Sequence, residues 1–61
     1  MIHNEAMGLK IGDRVAIRTK DFVGEGIVCV NETAKGKSTL VVEINDGYLI
    51  ICPYQIEEQI G

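Results

Sequence analysis

Polar and apolar residues alternate with period two along Arg14-Val15-Ala16-Ile17-Arg18, which marks a half-buried strand. Val15 and Ile17 point one way, and Arg14, Ala16 and Arg18 the other. Ile27-Val28-Cys29-Val30 is short and rich in β-branched residues, so it reads as a second strand. Thr39-Leu40-Val41-Val42-Glu43-Ile44 forms a third and Tyr48 to Cys52 a fourth. Between the last two, Asn45-Asp46-Gly47 is a tight-turn signal and predicts a hairpin.

The connections follow from turn chemistry. Gly12-Asp13 delivers the chain into the first strand. Thr19 to Gly24 is a loop with Phe22 and Val23 at its tip, and Gly24-Glu25-Gly26 leads into the second strand. The polar stretch from Asn31 to Ser38 is a loop around Gly36. Pro53 has no amide hydrogen and stops the fourth strand, and a single helical turn is expected over Pro53-Ile56. Residues 56–60 fit a fifth strand or a continued turn; apolar residues four apart favour the turn unless packing overrides it. Residues 1–7 have no periodicity and read as a mobile tail, leaving residues 8–61 as one domain. The expectation is an all-β fold: a small SH3-like barrel of four to five short antiparallel strands, closed on itself so that no edge strand is left open.

These strands are apolar on both faces, yet a small barrel has one interior. The spare face groups Val28, Val30, Val41, Ile50 and Cys52. A contiguous apolar surface needs a cover, and self-association is the simplest one. The expected partners are therefore a second copy of the chain, as a dimer or higher homo-oligomer, and a protein target.

Composition narrows the classes. The chain has 61 residues, nine acids, six bases and a net charge of −3. That excludes a strongly basic nucleic-acid arm and an acidic disordered tail. No apolar run approaches the roughly 20 residues of a membrane helix. Residues 1–6 lack the basic and apolar regions of a signal peptide, so the reading is cytoplasmic. Cys29 and Cys52 lie 23 positions apart and form no CxxC pair; free, buried thiols are expected. Asn31-Glu32-Thr33 fits the glycosylation pattern by chance in a chain read as cytoplasmic.

Two resemblances bear on function. Gly12-Asp13-Arg14-Val15 followed by Phe22-Val23-Gly24-Glu25-Gly26-Ile27-Val28 resembles the KOW segment of transcription elongation factors and ribosomal proteins over about 20 residues. It implies contact with RNA, ribosome or polymerase, although KOW domains on RNA are commonly basic and this chain is acidic. Over residues 8–61 the chain also looks like the plasmid-borne type II dihydrofolate reductases. The resemblance rests on Gly12-Asp13-Arg14-Val15, Gly26-Ile27-Val28, Leu49-Ile50-Ile51-Cys52-Pro53 and Glu57-Glu58-Gln59-Ile60. Those enzymes are SH3-like barrels that assemble as tetramers around a shared pore. Of their pore motif Val-Gln-Ile-Tyr-Pro, only Ile51 and Pro53 match; Ile50 stands at the glutamine position and Cys52 at the tyrosine. Their lysine falls near Ile17 or Arg18 without a clear equivalent. The resemblance therefore implies the fold and a tendency to oligomerise, and not the reductase activity.

Catalytic groups are sparse. His3, the sole histidine, lies in the expected tail, where nothing holds it as a general base. Ser38 lies in a Gly/Lys-rich loop with no basic partner evident, and neither cysteine has an activating histidine nearby in the chain. No cluster has metal-ligand spacing, and Gly24-Glu25-Gly26 precedes a strand rather than the helix a phosphate cradle needs. The expectation is a non-enzyme without cofactor or metal. For binding, Arg14, Arg18 and Lys20 form the main basic cluster, Lys35 and Lys37 add charge, and Phe22, Tyr48 and Tyr54 offer rings. The function expected is a self-associating interaction module that regulates a cytoplasmic protein partner, in the manner of small phage or mobile-element regulators and inhibitors. Alternatives are a KOW-like nucleic-acid contact and a small-ligand or nucleotide pocket between subunits.

Overall fold

The computed structural model describes residues 1–61 as one antiparallel sheet with three short helical turns. The elements in chain order are helix α1 (His3–Ala6), strands β1 (Arg14–Arg18) and β2 (Val23–Asn31), and a 3₁₀ turn over Glu32–Lys35. Strands β3 (Leu40–Ile44) and β4 (Gly47–Ile51) follow, then a 3₁₀ turn over Pro53–Gln55 and strand β5 (Ile56–Gln59). Strand order across the sheet is β4-β3-β2-β1-β5. No helix is long and apolar enough to cross a membrane.

The all-β class, the five antiparallel strands and the helical turn at Pro53 agree with the pattern of the chain. Closure of the barrel does not: β4 and β5 are the two edges of an open sheet. Pro53 ends the pairing of β4, and the turn after it carries the chain to the far side, where β5 pairs with β1. Residues 56–59 therefore form a strand although their spacing also suits a helical turn; Val15, Ala16 and Ile17 supply the ladder that decides it.

The core is small: Ala6, Leu9, Val15, Ile17, Val28, Leu40, Val42, Ile51 and Ile56. Met1, Phe22, Ile44 and Leu49 pack against it, so Phe22 serves as partial core packing. In the β3–β4 hairpin Ile44 pairs with Gly47, leaving Asn45 and Asp46 as the loop. Gly47 takes the positive φ (136°), which neither Asn45 nor Asp46 adopts.

Two features depart from the chain's pattern. Strand β2 begins at Val23, because Gly24-Glu25-Gly26 continues the ladder with β1. It also carries a bulge: Val28 pairs with Val42 and Val30 with Val41, leaving Cys29 as the extra residue. Val28 thus lies in the core while Val30, two residues on, is 45% exposed.

Residues 1–7 have no periodicity, yet they pack onto the domain. Ala6 is fully buried and the Met1 nitrogen donates to the Ile56 carbonyl. Asn31 holds this segment: its Nδ2 donates to the carbonyls of Ala6 (2.8 Å) and Leu9 (2.9 Å). The Asn31 Oδ1 accepts from the amide of Thr33 (3.1 Å) and from its hydroxyl. Thr33 is itself fully buried.

Candidate functional site

The outer surface of the sheet divides into two fields. On β5, β1 and the first half of β2 it is charged: Arg14, Arg18, Glu25, Glu57 and Glu58 are exposed or project from exposed strand positions. Arg18 donates from Nε to Glu57 at 3.0 Å, and Arg14 lies 4.0 Å from Glu25. Both arginines expected to form a basic cluster are thus matched by acids from neighbouring strands. Exposed pairs of this kind contribute about 0.2–1 kcal/mol. Arg18→Ala is therefore expected to change stability by no more than about 1 kcal/mol, read by urea denaturation.

On the second half of β2, on β3 and on β4 the outer surface is apolar. The ladder sets Val30 opposite Val41 and Val41 opposite Ile50, so the three form one row across three strands. Ile50 is 70% exposed and Tyr48, two residues away on the same face, 69%. The next row, Ile27, Glu43 and Tyr48, is mixed. Of the residues expected on the spare apolar face, Val30, Val41 and Ile50 lie together there. Val28 is corrected to the core because the Cys29 bulge reverses the facing of β2 beyond it. Cys52 is half-buried past the end of β4, where its amide donates to Gln55.

The expected binding residues do not converge on one place. Lys20 and Phe22 line an open depression of about 410 Å³ with Leu49, Ile50 and Gln55, between the β1–β2 loop and β4. Arg14 borders a second depression of about 380 Å³ with Glu25, Ile27 and Glu43. Tyr54 is 78% exposed and stands apart, beside α1.

One grouping escapes sequence reasoning because it spans three distant segments. His3, Ser38 and Cys52 line a common depression of about 430 Å³ with Met1, Ile2, Pro53 and Tyr54. No hydrogen bond joins His3 to Ser38 or Cys52; the Cys52 amide donates to Gln55 instead. Both cysteines are free, and half-buried rather than fully buried. No three His, Cys, Asp or Glu side chains come together as a metal-binding group.

No protein family, curated protein or solved structure matches this chain.

Proposed function

We propose that this domain is a non-catalytic interaction module that self-associates and regulates a protein partner in the cytoplasm. What carries this reading is the in-register row Val30–Val41–Ile50, flanked by Tyr48. Scattered exposed apolar residues need no explanation. A continuous row across three strands does, and such surfaces serve association.

A KOW-like nucleic-acid contact draws less support. Phosphate binding relies on free cations, and Arg14 and Arg18 each face a glutamate. The net charge of −3 opposes it further.

The test is capture from a bacterial lysate with tagged wild-type protein and with Ile50→Glu, each with and without nuclease. The expected result is a stoichiometric protein that survives nuclease and is lost with Ile50→Glu. Recovery of ribosomal or transcription components that vanish with nuclease supports the nucleic-acid reading instead.

A further inference from the structure

The two edges of the sheet are not equivalent. Edge strands are open templates for pairing unless charge, shortness or a cover blunts them. Strand β5 has four residues, carries Glu57 and Glu58, and receives the Met1 nitrogen at Ile56. Strand β4 carries no charge and forms no such bond, and the β1–β2 loop faces it only across an open depression. The strand reads Gly47-Tyr48-Leu49-Ile50-Ile51, within a stretch from Gly47 to Ile56 that holds no acidic or basic residue. Outside its ladder with β3, no β4 backbone group forms a hydrogen bond. In an antiparallel strand, alternate amides and carbonyls point away from the paired neighbour, so the outward ones here are unmatched.

We infer that β4 pairs antiparallel with β4 of a second copy, joining two five-stranded sheets into one about a two-fold axis at Leu49. This rests on the self-association proposed above and places the contact at the strand edge, where Ile50 and Tyr48 end the outer face. Charge selects the edge. Each copy carries −3, so copies repel in general, and β4 is the edge at which no acid meets an acid. Pairing centred on Leu49 also sets Tyr48 of one copy opposite Ile50 of the other, twice. Aromatic and β-branched residues directly opposite each other stabilise a sheet. On the outer face the row Val30–Val41–Ile50 then runs on into Tyr48 of the second copy.

Stable interfaces take about 800 Å² from each partner, which is about a fifth of the 4026 Å² surface of this chain. One strand edge is smaller. The dimer is therefore expected to dissociate at micromolar rather than nanomolar concentration.

The test mixes isotope-labelled and unlabelled full-length chains and records NMR contacts between them. Backbone-to-backbone contacts joining Tyr48, Leu49 and Ile50 of two copies are the expected result. A second measurement compares dissociation constants by sedimentation: Ile50→Lys is expected to raise the constant roughly tenfold or more with the fold retained, because it places a charge on the edge. Contacts between copies confined to side chains overturn edge pairing and leave self-association standing. Sedimentation as a single chain at the highest attainable concentration overturns both.

Discussion

Replacing Asn31 with alanine is expected to lower stability by about 3 kcal/mol. A single side chain here bonds four groups: the carbonyl of Ala6, which also accepts from the Leu9 amide, the carbonyl of Leu9, and the amide and hydroxyl of Thr33. Removing one partner of a buried hydrogen bond costs about 1–3 kcal/mol per group left unmatched, and the groups of a network do not add simply. A 61-residue domain has roughly 3–9 kcal/mol in total at about 0.05–0.15 per residue. The loss is therefore a large share of the whole, and the melting temperature should fall by about 15 °C. Asn31→Asp separates the two halves of the role. It keeps oxygen acceptors for Thr33 but turns an oxygen toward the two carbonyls, and should be no better than alanine. Thermal and urea denaturation of both variants reads this directly. Losses below about 1 kcal/mol would mean that Asn31 does not hold residues 1–9 in place.

Gly26→Val is expected to destabilise by about 3 kcal/mol through crowding. Gly26 is buried on the inner face of β2, and its φ is not in the left-handed region, so space rather than conformation demands glycine. A Cβ here would lie 2.9 Å from Cδ1 of Ile17 and 3.1 Å from both Cβ and Cγ2 of Val42. The Ile17 methyl can move, but the Val42 Cβ is fixed to its strand. Gly26→Ala is expected to cost about 1–3 kcal/mol. The sign is the informative part, since glycine in an open strand position costs about 0.5–1 kcal/mol relative to alanine. A gain on Gly26→Ala would show that β1, β2 and β3 are not packed this closely.

These two residues also show what a linear reading sees. Strands β1, β3 and β4, the Asn45-Asp46-Gly47 turn and the turn at Pro53 are legible because each rests on alternation or on local backbone chemistry. Gly26 looks like turn punctuation; its partners Ile17 and Val42 come from other strands, so the tight packing that needs it is invisible locally. Asn31 looks like a loop residue, and its hold on residues 6 and 9 crosses more than twenty positions. The same limit governs the candidate site. Val30, Val41 and Ile50 are legible as spare apolar positions, whereas Val28 is misplaced by a bulge that arises only from pairing with β3. Arg14 and Arg18 are visible as cations, but the glutamates that match them, Glu25 and Glu57, arrive from β2 and β5.

The outer apolar row as an association surface is tested most directly by sedimentation of the wild-type chain and Ile50→Glu from micromolar to millimolar concentration. The wild-type mass is expected to rise with concentration from 6.7 kDa toward twice that value. Ile50→Glu should stay at the single-chain mass with an unchanged β-rich spectrum, since its side chain is exposed and not part of the core. A wild-type chain that stays at the single-chain mass throughout, indistinguishable from Ile50→Glu, would contradict self-association through this face.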